Sequence, residues 1–199
     1  ASGPAGRPAR GGPRLPRPAS PSGSFRTCPT FRYNSRTLAI QDLLAQWEPF
    51  SHFKGEQLAQ LAQCTAHVRH PPGATVLKEG ESTFHVYLIQ SGAIRIQRKT
   101  PFGLFGLASL EPGDLFGETS FVDRGPRTGE AVTAGDTELL VLDAAALSSM
   151  MERDPRFHLA LYWAFWKSLS GKLRQTNQNL SQFFSETGRP PEDGPINHS

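Results

Sequence analysis

Four turn signals, Pro72-Gly73, Glu79-Gly80, Ser91-Gly92 and Pro112-Gly113, cut the middle of the chain into short apolar pieces. The pieces are of β type: Val68, Val76, His85 to Ile89, Ala93 to Gln97, Leu107 to Leu110 and Glu138 to Leu142. Glycine at positions 80 and 92 lets the backbone reverse without a Cβ clash. Many short strands separated by such turns fold as a sandwich, roll or barrel.

Helical periodicity brackets this block. Leu38, Leu43, Leu44 and Trp47 predict one helix, and Phe53, Leu58, Leu61 and Ala62 a second. After the strands, Ala144 to Glu152 reads as a short helix. Asp154-Pro155 then supplies an N-cap and a proline at the first helical position, opening a long helix over about 155–184. Along it Leu159, Tyr162, Trp166, Leu169, Leu173, Thr176, Leu180 and Phe183 alternate in steps of three and four, an a/d seam. Either this stripe packs on its own β-domain or it meets a second chain. A helix of ~30 residues is ~45 Å long, more than a domain of this size covers. The distal half, from Leu173, is therefore expected to form a homodimer contact.

The ends read differently. Residues 1–36 hold seven arginines and no acidic residue, in a Pro-, Gly- and Ser-rich context. Subtracting those seven from the net charge of +3 leaves −4 for Thr37 onward. The basic balance thus belongs to the expected disordered tail, and gives no ground for a nucleic-acid-binding core. Residues 185–199, rich in Pro and Gly, are expected to be a second disordered tail. Only two cysteines occur, Cys28 and Cys64, too few for a disulfide framework, which points to a reducing, cytoplasmic setting. No apolar run is long enough to span a membrane.

The segment with chemical content is Phe116-Gly-Glu-Thr-Ser-Phe-Val-Asp-Arg-Gly-Pro-Arg-Thr-Gly-Glu-Ala-Val. An arginine grips two phosphate oxygens with a planar fork, and backbone N–H groups after a glycine complete an anion site. A carboxylate beside such a site makes sense only against a hydroxyl donor. Gly117, Glu118, Thr119 and Ser120, with Arg127 nine residues after Glu118, meet those needs, and Thr128 adds a hydroxyl.

This segment resembles the phosphate-binding cassette of the cyclic nucleotide-binding domain family, which reads Phe-Gly-Glu, then apolar and turn residues, then Pro-Arg and a small residue. The resemblance covers about 145 residues, including the ordered glycines, Gly113-Asp114-Leu115 and the run from Thr137 to Asp143. It implies an α+β, mainly β fold: an eight-stranded β-roll (or jelly roll) over residues 37–184, flanked by N-terminal helices and a long C-terminal helix. It also implies a sensor of cAMP or cGMP, with Glu118 on the ribose 2′-hydroxyl and Arg127 on the cyclic phosphate. The amides of Glu118 to Ser120 and the Thr128 hydroxyl would assist. The long helix would close over the base, bringing Thr176 or Asn177 to it.

One departure is Gly129-Glu130 after Thr128. Glu130 either accepts from guanine or points past the pocket rim into solvent, and solvent is the expectation. Arg-Thr at 127–128 resembles cGMP-preferring members and tips the choice only slightly. A cofactor or metal is not expected. His67 and His70 lie three apart on a strand and face opposite ways, and no Gly-x-Ser-x-Gly nucleophile motif occurs, so no enzyme is expected. Too few residues follow the long helix here for a helix-turn-helix, so sequence-specific DNA reading is not expected either. The alternative is a nucleotide-free β-roll that serves as a dimerisation or protein-interaction module. In both readings the downstream protein partner is unassigned.

Overall fold

The computed structural model describes residues 35–101 and 103–187. Eight strands form two four-stranded antiparallel sheets. The first has the order β1 (Thr65–His70), β8 (Thr137–Leu142), β3 (Val86–Ser91), β6 (Leu115–Phe116). The second has the order β2 (Thr75–Leu77), β7 (Glu130–Thr133), β4 (Ile94–Thr100), β5 (Gly103–Leu110). Helices α1 (Ser35–Ala45) and α2 (Gly55–Gln63) precede the roll. Helix α3 (Glu118–Asp123) interrupts it, and α4 (Ala144–Arg153) and α5 (Pro155–Thr187) follow. This is the mainly-β roll with a long C-terminal helix that the sequence predicts.

The continuous apolar runs of β3 and β8 follow from burial on both faces. Successive side chains alternate in direction, so Val86 and Leu88 enter a core shared with the helices, while Tyr87 and Ile89 enter a core between the two sheets. Strand β8 repeats this: Leu140 and Leu142 face the helices, Leu139 the opposite sheet. The register Leu88↔Leu140 and Ile89↔Leu139 keeps both sets aligned.

All four turn glycines have left-handed φ, and two are sterically committed as well, Gly113 against the Trp47 ring and Gly92 against backbone. A Cβ on Gly92 (φ 85°) would lie 2.5 Å from the Asp136 carbonyl oxygen and 2.8 Å from the Thr137 Cα. Gly92→Ala is therefore expected to cost roughly 2–5 kcal/mol, the sum of a left-handed penalty and a backbone clash. Gly80→Ala, with open space around it, should cost only the first part. Thermal melts of the two variants check the difference.

Three boundaries differ from expectation. Helix α1 begins at Ser35, inside the stretch assigned to the basic tail, and α5 runs through residues 185–187, assigned to the second tail. Trp47 lies beyond α1 and packs its ring on the Gly113 turn. Residues 1–34 and 188–199 lie outside the described residues.

The largest correction concerns α5. The stripe that packs on the domain is Phe157, Leu161, Ala164 and Phe165, all buried. The a/d seam lies on another face and is exposed from its first turn: Leu159 72%, Trp166 66%, Leu173 62%, Leu180 52%. Leu159, Trp166, Leu173 and Leu180 of the seam thus turn away from the β-domain, whereas Leu169 and Thr176 face the roll. Two apolar stripes share one helix, and sequence spacing was matched to only one of them. The side chain of Phe183 lies outside the described residues.

Candidate functional site

Strand β6 ends at Phe116, and Gly117 (φ 81°) turns the chain into the six-residue α3. A Cβ at Gly117 would lie 2.7 Å from Arg127 Nη1 and 2.9 Å from the His85 carbonyl oxygen. Glycine is needed there because the cassette arginine crosses directly over the turn. After α3, Arg124-Gly125-Pro126 brings the chain back, and the Arg127 backbone is locked to the β2–β3 loop. Its N–H donates to the Glu81 carbonyl, and its carbonyl accepts from the Gly80 N–H, both at 2.9 Å.

The Arg127 side chain is buried, 3% exposed. Its Nε donates to Thr83 Oγ1 (3.1 Å), Nη1 to the Gly117 carbonyl (2.8 Å) and Nη2 to the His85 carbonyl (2.8 Å). Every one of these acceptors is neutral. Among the described residues no carboxylate lies in ion-pair range of Arg127. Burial pushes its pKa down, opposed by the neighbourhood of Tyr87, Glu81 and Glu118. A guanidinium stays charged in proteins, so this is a desolvated cation held in place by dipoles. It has five N–H donors, of which three are used here.

Glu118 is also buried, 1% exposed, at the first position of α3. Its Oε1 lies 2.5 Å from Lys172 Nζ and 3.4 Å from Ser168 Oγ, both on α5. Lys172 Nζ also donates to the Leu115 carbonyl. The long helix therefore reaches the cassette through an ion pair.

These groups open on one cavity of about 250 Å³. One end is the cassette: Gly117 to Ser120, Arg127 and Thr128. The floor is apolar, from Leu77, Ile96, Leu107 and Ala131 on the second sheet. The remaining wall is α5, with Leu169, Lys172, Gln175, Thr176 and Asn179. The charged lining residues are Arg127, Lys172 and Glu118, one net positive charge. No group of three or more metal-ligating side chains occurs among the described residues, and no described helix is long and apolar enough to cross a membrane.

Of the residues expected at the site, the fold brings together Gly117, Glu118, Thr119, Ser120, Arg127, Thr128 and Thr176. Two it does not. Glu130 sits on β7 opposite Gln97 of β4, whose Nε2 donates to Glu130 Oε2 at 2.8 Å, so it neither lines the cavity nor points freely into solvent. Asn177 lies on the exposed face of α5 beside Gln178 and Ser181. Sequence reasoning missed Lys172, Gln175 and Asn179. Once Thr176 is placed in the pocket, Lys172 and Asn179, four and three positions away, share its face, so that signal was present, whereas the adjacent Gln175 carried none. Thr83 and His85, which hold Arg127, carried none.

The model of the cyclic nucleotide-binding domain family matches residues 67–154. The chain is 34% identical over 143 residues to the CRP-like cAMP-activated global transcriptional regulator of Mycobacterium tuberculosis, covering 71% of this chain and 62% of that protein. It therefore spans less than two thirds of that relative's length. The solved N-terminal domain of a transcriptional regulator from Streptomyces coelicolor is 30% identical, with a TM-score of 0.56, over 69% of this chain and 96% of that one. A cyclic nucleotide-binding domain from Methylobacillus flagellatus shares the fold at 21% identity and a TM-score of 0.65, over 73% of this chain and 83% of that one.

Proposed function

Because the chain belongs to the cyclic nucleotide-binding domain family, we propose that it is a sensor of a cyclic purine nucleotide, cAMP in the first place, and signals through α5. The observation that carries this is Arg127: a buried cation without a carboxylate partner, lining a cavity whose net charge is opposite to that of one cyclic phosphate. Its unused donors would take the exocyclic oxygens as a fork. The first N–H groups of α3, which have no intrahelical partner, would complete the anion site. Glu118 would accept from the ribose 2′-hydroxyl, with Lys172 cancelling its repulsion of the phosphate. Thr176 and the neighbouring amides of α5 would meet the base.

Adenine is favoured over guanine on one structural ground. Glu130, the only acid considered for guanine's N1–H and N2 donors, is held by Gln97 outside the cavity. The M. tuberculosis relative, a cAMP-activated regulator, points the same way. The exposed seam on α5 supports a homodimer as the signalling unit, since an a/d stripe is complementary to a second copy of itself. Ligand would shift α5 between open and closed positions by contacts made in only one of them. No catalytic step is proposed.

Isothermal titration with cAMP and cGMP in parallel tests this reading. Micromolar or tighter binding of cAMP is the expected result. No heat and no thermal shift with either nucleotide would leave a nucleotide-free dimerisation module. Glu118→Ala adds a finer test: it should shrink the preference for cAMP over 2′-deoxy-cAMP, because the variant lacks the hydroxyl's acceptor. An undiminished preference would remove Glu118 from the ribose site.

A further inference from the structure

Among the described residues, Arg124 is the only non-glycine with a left-handed backbone, φ 57° and ψ 20°. A side chain with a Cβ is disfavoured in that conformation, and glycine would adopt it without strain. Glycine does follow, at 125, yet position 124 carries one of the largest side chains. An outlier of this kind directs attention to what the side chain holds.

The guanidinium folds back over α3. Its Cζ lies 4.8 Å from the centroid of the Phe121 ring and 5.5 Å from that of Phe84. Its Nη2 donates to Ser148 Oγ on α4 at 3.0 Å. Phe121 is itself buried and meets Phe165 of α5 edge-on at 5.6 Å. The same short helix carries Glu118 to Ser120, which line the cavity, at its start, and Arg124 as its C-cap. Arg127 follows three residues later, so both cassette ends are tied to this cap.

We propose that Arg124 is a positioning residue that clamps the cassette helix to α4, so that displacement of α3 by a ligand is passed to the α4–α5 pair. It lines no part of the cavity and touches no ligand. Cation–π contact with two rings and a hydrogen bond to Ser148 join the end of α3 to α4 through one side chain. Without it, α3 still meets α5 through Glu118 with Lys172 and Ser168 and through Phe121 against Phe165, but no polar contact among the described residues ties its C-terminal end to α4. The coupling part of this proposal rests on the cAMP-sensing reading, whereas the clamp itself does not.

The test uses the full chain and hydrogen exchange of α4 and of residues 168–182, with and without saturating cAMP. Arg124→Gly keeps the left-handed turn and removes only the clamp. Without ligand, it should speed exchange in α4 by about 5-fold or more relative to the unmodified chain. With ligand, it should bind cAMP within about 3-fold of normal affinity. It should nevertheless lose at least half of the ligand-induced protection in α4 and α5. Ser148→Ala should lose part of the same protection, and adding it to Arg124→Gly should lose nothing further, since the two act as one contact. Unchanged α4 exchange in ligand-free Arg124→Gly overturns the clamp whether or not the chain binds cAMP. Full ligand-induced protection in that variant overturns the coupling, and loss of affinity in proportion to lost protection overturns the assignment as a positioning residue. If the unmodified chain takes up no cAMP while Arg124→Gly still accelerates α4 exchange, the sensing reading fails and the clamp stands.

Discussion

Arg127→Ala is expected to weaken cAMP binding by roughly 30-fold at the least, and by up to three orders of magnitude or more. Removing one member of a desolvated charge pair costs ~2–5 kcal/mol, and ~1.4 kcal/mol is a factor of ten. The side chain has two jobs here. It is the proposed cation for the phosphate, and it is the donor to Thr83, Gly117 and His85, which shape the turn before α3. Alanine loses both, so the turn that presents the α3 amides loosens along with the charge. Arg127→Lys separates the two. It restores the charge but, as a point donor, cannot reach three acceptors and a phosphate at once. Its affinity should fall between those of the unmodified chain and the alanine variant. Titration calorimetry reads the affinity, and a thermal melt without ligand confirms that the roll remains folded. Near-normal binding by Arg127→Ala would overturn the assignment of the phosphate site.

The double variant Leu173→Glu/Leu180→Glu is expected to convert a dimer into a monomer at micromolar concentration. Full burial of one leucine stabilises by ~1.5–3 kcal/mol, and these two are 62% and 52% exposed in the single chain. Four such side chains per dimer amount to roughly 3–7 kcal/mol, or between two and five decades in dissociation constant. Like charges facing one another across the seam add to this. Neither leucine belongs to the packed stripe of Phe157, Leu161, Ala164 and Phe165, so the roll should melt at its usual temperature. Light scattering gives the mass directly. An unchanged mass would mean that the exposed stripe is not the interface. A monomer that still binds cAMP would place sensing within one chain and dimerisation downstream of it.

Much of the architecture was legible because it is encoded locally. The turn glycines at 73, 80, 92 and 113 all adopt the left-handed conformation that only glycine takes without strain. Asp154 caps α5 as its position beside Pro155 implies, its Oδ1 accepting from the N–H of Arg156 and Phe157. The cassette was legible for the same reason: residues 117–128 lie within a dozen positions of chain, although the Thr83 and His85 acceptors that hold Arg127 do not. The failures came where a periodic pattern had to be given a direction. Helical spacing finds apolar stripes on α5 but assigns neither of them to the domain. It was the packing of Phe165 against Phe121, a residue 44 positions away, that decided which stripe turned inward.

By itself, then, the sequence determined the strand-and-turn order, the start of the long helix and the run of residues that forms one end of the cavity, since each depends on backbone conformation and near neighbours. Only the tertiary structure decided the partners. The β4–β7 register sets Glu130 opposite Gln97 and so withdraws it from the pocket. The seating of α5 carries Lys172 to Glu118, 54 residues away, and turns Asn177 outward. Contacts of that kind depend on how separate elements are rotated and registered against each other, and a side chain's own neighbours in the chain carry no record of it.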